Sequence, residues 1–301
     1  MRYTLIFLSS TFLCASGQQI YDIFTTTWDR TSLFTYKNLS PSPINFQSGV
    51  PAGDAVINIT PDTIYQTMDG FGATLTDSSA QLMYKMKNAA WQSYWDLLGF
   101  LFDIGDGKQS AGLSALRIPI GASDFSASAY SWDDTSGDTS LSQFNTNSVP
   151  SYVWTVLADI KSVQPSIKLY ILPWSPPGWM KDSGTMKGGS LQSQYFTVYA
   201  NYLLKAVQAF TSKGYSNEPL NSNPTYPTAY LTSANAATIG QTLRGLLNSN
   251  GLSSVKLIGY EHNWDNTAYP IDVMGKAGSS FAGASFHCYG GSVGAQTTFH
   301  K

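Results

Sequence analysis

The segment IKLYILPWSPPGW, residues 167–179, is an apolar run that leads directly into a stretch rich in proline and tryptophan. Helix-like patterns precede and follow it. A short apolar strand between two helical stretches is typical of the βα unit of a parallel sheet. The alternation continues along the chain: strands are predicted at residues 64–75, 115–120, 167–172, 255–260 and 284–289, and helices at 78–101, 152–163, 192–212, 234–248 and 267–276.

Polar or aromatic residues come just after the first four strand-like runs and at the end of the fifth. They are Thr76-Asp77, Ser123 to Phe125, Trp174 to Trp179, Glu261 to Trp264, and His287 to Tyr289. In a (β/α)8 barrel the functional residues lie on the loops at the carboxyl ends of the strands. The sequence therefore predicts an α/β fold with βα units around a parallel sheet, and the placement of these residues matches that of a barrel site. Residues 131–149 are predicted to form one long polar loop.

The composition favours an uncharged ligand. Charged residues make up 12% of the 301 residues, and the net charge is −2. The charged share is about half the usual one, and no Lys/Arg run occurs, so we expect no nucleic-acid partner. The 8 Trp and 18 Tyr residues offer rings on which sugars can stack. For most of these rings, packing in the core is the simpler interpretation.

The first 17 residues have the form of a secretory signal peptide. Arg2 precedes an apolar run from Leu5 to Cys14, and small residues follow as far as Gly17. A buried strand is the alternative interpretation. No later segment has about 18 apolar residues, so we expect no transmembrane segment. We expect a secreted, extracellular monomer with a signal peptide at residues 1–17, a β segment at 18–60 and a barrel domain at 61–301.

Only two glutamates occur in the chain, Glu218 and Glu261. Glu218 lies in Asn217-Glu218-Pro219, where proline fixes the backbone after the carboxylate and the asparagine can bond a substrate hydroxyl. This arrangement suits a general acid/base, but its spacing alone is equally consistent with a surface turn. The three histidines show no spacing of metal ligands, and no glycine-rich phosphate loop follows a strand. We therefore expect neither a metal nor a cofactor.

Six segments occur in an order that resembles glycoside hydrolase family 30, which includes glucosylceramidases and fungal endo-β-1,6-glucanases. The segments are DGFGATLTDSSA at 69–80, LRIPIGASDFS at 116–126, PWSPPGWMK at 173–181, GGSL at 188–191, NEPL at 217–220 and FHCYG at 286–290. In detail these segments are more similar to those of the fungal β-1,6-glucanases than to those of animal glucosylceramidases.

The resemblance implies a TIM barrel, a small β-sandwich built from both chain ends, and retaining hydrolysis of a β-glucan or another β-glucoside. It implies that Glu218 is the general acid/base. It also implies substrate contacts by Asp77, Trp174, Asn217, His287 and Tyr289, the first three in the −1 subsite and the last two beside the catalytic carboxylates. A retaining enzyme needs a second carboxylate about 5–5.5 Å from the acid, to attack the anomeric carbon.

Four residues of these motifs and strands have more than one interpretation. Asp77 is also placed to be a helix N-cap, Trp179 is either a wall of the subsite or a core residue, and His287 is also consistent with a core position. Arg117 either forms a structural ion pair or anchors an active-site carboxylate; we favour the anchor.

The chain departs from the family pattern in two places. Only Tyr215-Ser216 separates the helix that ends at Lys213-Gly214 from Asn217, so the fourth barrel strand has no room and is expected to be deleted. The family nucleophile is a glutamate that ends the seventh strand, and no glutamate follows Glu261. We therefore expect an incomplete barrel without strands 7 and 8, and no nucleophile. The bridging partner of Cys288 would belong to the same absent part.

An open barrel exposes strand edges, so we expect poor folding of the chain alone and impaired or absent activity. The principal alternative to an enzyme is a catalytically dead carbohydrate-binding remnant. A structural protein of the cell wall is a third, weaker alternative. Within the enzyme interpretation, β-1,6-glucan and glucosylceramide are the two leading substrates.

Overall fold

The computed structural model describes residues 19–46, 57–58, 60–105, 108, 110–213 and 226–300. The chain divides into two compact units between Thr67 and Met68. The predicted signal peptide and the segment Asn217-Glu218-Pro219 lie outside the described residues. None of the described helices is both long and apolar enough to cross a bilayer.

The first unit contains two antiparallel strand pairs. Strand β1 (Gln19–Ile20) pairs with β4 (Ile44–Asn45), and β2 (Asp22–Thr25) pairs with β3 (Thr35–Asn38). The ring of Phe24 stacks on that of Phe34 at 4.7 Å between centroids. These strands lie in the part of the sequence for which β and turn structure is predicted. Their membership of a sandwich stays a prediction.

The second unit alternates strands with helices. In chain order its elements are β5 (Gly72–Thr74), α1 (Asp77–Ala89), α2 (Trp91–Phe102), β6 (Ala115–Ile120), α3 (Ser151–Val163), β7 (Lys168–Pro173), α4 (Phe196–Ser212), α5 (Ser233–Ser249), β8 (Ile258–Asn263), α6 (Ala268–Ala277), β9 (Gly283–His287) and α7 (Ala295–His300). This order confirms the α/β class and the βα units.

The strands of this unit form two parallel sheets. Strands β5, β6 and β7 pair in that order, and Thr74, Arg117 and Tyr170 lie side by side across them. Strands β8 and β9 form the second sheet, in which Glu261 is opposite Ser285. Within the described part of the chain, β7 and β8 are not hydrogen-bonded to each other.

The core lies between the sheets and the helices. On α3, residues Val153, Val156, Leu157 and Ile160 recur every three or four positions, so they form one apolar stripe, and all four are buried. Alternate residues of β6 face opposite ways. Leu116 and Ile118 join this core, which places Arg117 on the other face of the sheet.

Three predicted elements differ from the structure. The helix predicted at 78–101 is two helices, because Ala90 has an extended φ of −147° between them. The strand predicted at 64–75 pairs only over Gly72–Thr74, and Ile64 is 84% exposed. The loop at 131–149 is not simply polar, because Trp132 is buried and its backbone N–H donates to the Tyr202 hydroxyl of α4 at 3.0 Å.

Candidate functional site

Asp77 lies at the start of α1 and contacts the loop that follows β6. Thr76 is the N-cap, and its hydroxyl accepts from the Ser79 backbone N–H at 3.2 Å. Asp77 is therefore the first helical residue, and the N-cap interpretation of it is wrong by one position. Its Oδ2 accepts from Ser126 Oγ at 2.5 Å and from the Tyr130 hydroxyl at 3.0 Å.

These contacts make Asp77 an anchor for the loop. The residue is only 5% exposed, and burial raises the pKa of its carboxyl although both hydroxyls oppose that rise. A second tie lies beside it, where the Ser78 hydroxyl donates to the Phe125 carbonyl at 2.7 Å. Asp77 thus fixes the conformation of the loop at residues 123–130. Within this loop, Asp124 and Phe125 are exposed.

Arg117 and Glu261 join the two sheets. Arg117 Nη2 lies 2.5 Å from Glu261 Oε1, and the two side chains are 24% and 10% exposed. Arg117 projects from β6 and Glu261 from β8. The next residue back on β8, Tyr260, contacts Tyr269 of α6 at 5.6 Å between ring centroids, so alternation places Glu261 on the opposite face, toward Arg117.

Trp174 completes one side of this pair. It is the first residue after β7, and the guanidinium carbon of Arg117 lies 4.4 Å from the centroid of its ring. A guanidinium in this position is attracted to the negative face of the indole. The stacking orients the Trp174 ring, and the Glu261 carboxylate in turn holds the guanidinium against it.

His287 and Tyr289 lie on the other side. His287 ends β9, and its Nε2 is 3.3 Å from Glu261 Oε1. This Nε2 makes no hydrogen bond within the described residues, so the contact is one of proximity. The His287 and Tyr289 rings are 5.9 Å apart and nearly parallel, and Tyr289 is 90% exposed. The structure therefore groups Arg117, Trp174, Glu261 and His287, with Tyr289 at the rim; we call this group the Glu261 cluster.

A buried lysine supports the Trp174 loop. The Lys181 ammonium donates to Ser175 Oγ at 3.1 Å, to the Met186 carbonyl at 2.9 Å and to the Thr228 carbonyl. Lys181 is 2% exposed, and burial lowers its pKa to about 8. Because Ser175 follows Trp174 directly, Lys181 fixes the backbone from which Trp174 projects. Lys181 ends the motif at residues 173–181, but the sequence alone predicts no role for it, because its burial has no local signal.

Trp179 has a packing role. Its indole N–H donates to the Asp133 carbonyl at 2.9 Å, and its ring meets that of Tyr195 edge-on at 5.2 Å. These contacts support the core alternative for Trp179. Arg117 pairs with Glu261, a geometry that is consistent with both the structural ion pair and the carboxylate anchor.

Two predicted site residues are not among those just described. Asn217 and Glu218 lie outside the described residues. Glu261 is thus the carboxylate at the centre of the described cluster, and its charge is already balanced by Arg117.

Cys288 is exposed and forms no disulfide with a described residue. In the part of the chain that is described, no three His, Cys, Asp or Glu side chains are grouped so that they could hold a metal ion.

Comparison with known proteins gives a consistent result. Residues 68–241 match the family model described as the glycosyl hydrolase family 30 TIM-barrel domain. The chain is 34% identical over 274 residues to an endo-1,6-beta-D-glucanase of Neurospora crassa, a match covering 84% of this chain and 56% of that protein. It is 33% identical over 276 residues to an endo-1,6-beta-D-glucanase of Aspergillus fumigatus, covering 82% and 55%. The chain spans about half the length of these curated relatives.

Solved structures have the same fold. The endo-beta1,6-glucanase BT3312 superposes with a TM-score of 0.75 at 29% identity, over 94% of this chain and 62% of that one. The Salmonella typhimurium protein SrfJ superposes with a TM-score of 0.77 at 19% identity, over 92% and 62%, which shows the fold alone. The family match covers more than half of the chain and includes β5, β6, β7, Asp77, Arg117 and Trp174. On this evidence the chain belongs to glycosyl hydrolase family 30.

Proposed function

We propose that this protein is a secreted, retaining glycoside hydrolase whose substrate is a β-1,6-linked glucan. The observation that carries the proposal is the Glu261 cluster, which sets an oriented indole beside a carboxylate and an imidazole at the carboxyl ends of parallel strands. Active sites of TIM barrels lie at these ends. Two fungal relatives and a similar solved structure are named as endo-1,6-glucanases.

Glu218 is proposed as the general acid/base, with Asn217 beside it on the substrate. In this role the Glu218 carboxyl protonates the glycosidic oxygen as the bond to the anomeric carbon breaks. Trp174 stacks on the glucosyl ring in the −1 subsite, and His287 and Tyr289 line it. Asp77 contributes indirectly, because it holds the loop that carries Asp124 and Phe125.

Glu261 is a poor candidate for the nucleophile. Glu261 Oε1 lies 2.5 Å from the Arg117 guanidinium, and this ion pair stabilises the carboxylate charge and so lowers the nucleophilicity of both carboxylate oxygens. We assign Glu261 to positioning: it holds Arg117 against Trp174. With Glu261 in a positioning role, we propose that this chain binds β-glucan but turns it over slowly, whereas the carbohydrate-binding alternative requires no turnover.

The barrel is proposed to be open between β7 and β8. Support comes from the described strands, among which those of the two sheets do not pair with each other, and from a cavity of about 480 Å³ lined by Thr74, Arg117, Leu172, Glu261 and Ala284 among others. The interior of a closed eight-stranded barrel is filled by layers of side chains. An unfilled volume of this size is consistent with strands that do not close.

An external nucleophile tests the proposal. The chain is incubated with 2,4-dinitrophenyl β-glucoside, whose good leaving group needs no acid, with and without azide. Azide attack on the anomeric carbon, opposite the departing dinitrophenolate, forms a carbon–nitrogen bond and gives α-glucosyl azide. We expect this product with azide and little glucose without it. Rapid release of glucose without azide, abolished by Glu261→Gln, would instead make Glu261 the nucleophile.

A further inference from the structure

The loop at residues 131–149 contains a buried carboxyl group that the proposed function does not use. Asp133 is 2% exposed, and its Oδ2 atom has no hydrogen-bond partner among the described residues. Its Oδ1 atom accepts from the Thr135 backbone N–H at 3.2 Å. Buried polar atoms without a partner are uncommon in native proteins, so the unpaired oxygen of Asp133 needs an explanation.

A second carboxyl group lies beside that of Asp133. The chain turns back at Thr135, whose carbonyl accepts from the Asp138 backbone N–H at 3.2 Å. This turn brings the carboxyl groups of Asp133 and Asp138 within hydrogen-bonding reach of each other. Two ionised carboxylates cannot form a hydrogen bond, because each can only accept. One proton between them would reduce the repulsion and give the unpaired oxygen a partner.

The surroundings decide which of the two groups carries the proton. The oxygens of Asp138 accept from the Ser140 hydroxyl at 2.6 Å and from the Gln143 backbone N–H at 2.7 Å. These donors stabilise the ionised form and lower the pKa of Asp138. Burial raises the pKa of Asp133, and the neighbouring charge of Asp138 adds to that rise. Asp133 is therefore the donor of the pair, and Asp138 is the acceptor.

None of the ion pairs between described residues supplies a cation to Asp133 instead. The other ionisable groups that face it are Asp134 in the same loop and Tyr202 on α4. Burial raises the pKa of the Tyr202 phenol, so this group is uncharged. The Lys205 ammonium, also on α4, lies over the Phe144 ring at 5.6 Å from its centroid. A proton is thus the simplest way to neutralise Asp133.

The backbone around Asp133 connects the loop to its neighbours. The Asp133 carbonyl accepts from the Trp179 indole N–H at 2.9 Å, and the Trp132 backbone N–H donates to the Tyr202 hydroxyl of α4 at 3.0 Å. An ionised Asp133 would be a buried charge beside a second charge of the same sign, which is costly. Movement of Asp133 toward water would relieve this cost, and it would break the contacts with Thr135 and Trp179.

We propose that Asp133 and Asp138 share one proton, and that loss of this proton releases the loop at residues 131–149 from Trp179. The protonated fraction falls about tenfold for each pH unit above the folded pKa of Asp133. Because the folded state holds the extra proton, the stability that Asp133 contributes also falls as pH rises through that pKa. The loop therefore packs most firmly at acidic pH. This inference does not depend on the substrate.

A nuclear magnetic resonance titration of the folded chain, with isotope-labelled aspartate and tryptophan, tests the inference. We expect the carboxyl carbon of Asp133 to titrate at a higher pH than those of Asp138 and of Asp96, an exposed aspartate of α2. The Trp179 indole N–H resonance should shift with the Asp133 midpoint. Asp138→Asn removes the acceptor charge and should lower that midpoint, whereas the matched control Asp96→Asn should leave it unchanged.

A second variant removes the proton transfer itself. Asp133→Asn keeps a donor for Asp138 but cannot ionise, so the Trp179 resonance should no longer shift across this pH range. A wild-type Asp133 that titrates below Asp96, or a Trp179 resonance that does not move at the Asp133 midpoint, would overturn the inference. Calcium-dependent shifts of both carboxyl resonances, at a pH where Asp133 is ionised, would also overturn it, because the pair would then hold a cation and not a proton.

Discussion

Arg117 Nη2 and Glu261 Oε1 are 2.5 Å apart although the two residues lie on strands of different sheets and are 144 positions apart in the chain (261 − 117). The pair therefore connects two substructures that no described strand pairing connects. Both side chains are largely shielded from water, and the pair also orients Trp174 and contacts His287. Its loss should affect stability and binding together.

Removing one member of the Arg117–Glu261 pair should lower the free energy of unfolding. Glu261→Gln leaves the Arg117 charge without its counter-ion, and we expect the free energy of unfolding to fall by about 2–4 kcal/mol, near the range for breaking a buried pair. Urea unfolding followed by circular dichroism measures it. The control is Lys276→Ala, which breaks the exposed pair with Asp272 on α6 and should cost under about 1 kcal/mol. Equal losses in both variants would contradict the connecting role.

Lys181 should make stability depend on alkaline pH. Its pKa is lowered to about 8 in the folded protein from 10.5, so between these values the unfolded chain binds more protons than the folded one. The free energy of unfolding should therefore rise with pH across this window through Lys181. In Lys181→Met that part of the rise should vanish, and the variant should be less stable overall because buried acceptors lose their donor. Parallel pH profiles of the two proteins would show that Lys181 is not the titrating group.

Through Asp77, the free energy of unfolding should fall, not rise, as pH increases in the acidic range. Burial raises its folded pKa above 3.8, so from about that pH upward the folded state holds the extra proton, and stability contributed by Asp77 falls as pH rises through the folded pKa. Asp77→Asn removes this titration while it keeps an acceptor for Ser126 and Tyr130. We expect its stability relative to wild type to increase between pH 4 and neutrality, as measured by thermal unfolding. A constant difference would contradict the assignment.

Alanine substitutions of Trp174 and Trp179 should have different effects, the first on oligosaccharide affinity and the second on stability. Trp174→Ala removes the proposed sugar platform, and we expect at least a tenfold loss of affinity for a β-1,6-linked gluco-oligosaccharide with little loss of stability. Trp179→Ala removes a ring packed on Tyr195 and bonded to Asp133, and we expect mainly a stability loss of about 2–4 kcal/mol. The reverse pattern would exchange the roles of these two residues.

The scaffold could be predicted from the sequence because local patterns encode it. Strand β6 has the bounds that the apolar run at 115–120 predicts, and α3 begins one residue before its prediction. The prediction was wrong where a single backbone angle decides, as at Ala90. It also overextended β5, since Ile64 and Tyr65 are exposed and pair with none of the described strands.

The site was predictable only in part. Trp174, His287 and Tyr289 could be located because they follow strand ends in recognisable motifs, whereas contacts across the fold had no such signal. The pairing of Arg117 with Glu261 and the burial of Lys181 and of Asp133 depend on which elements pack together. The assignments of Glu218 and Asn217 stay predictions.

Calorimetric titration of the purified chain with a β-1,6-linked gluco-oligosaccharide, repeated with Trp174→Ala and Trp179→Ala, tests the central claim most directly. The claim is that the Glu261 cluster is a glucan-binding site in a family 30 barrel. We predict saturable binding that Trp174→Ala reduces at least tenfold and that folded Trp179→Ala retains. Absence of binding by the folded wild-type chain, or binding that Trp174→Ala leaves unchanged, would contradict it.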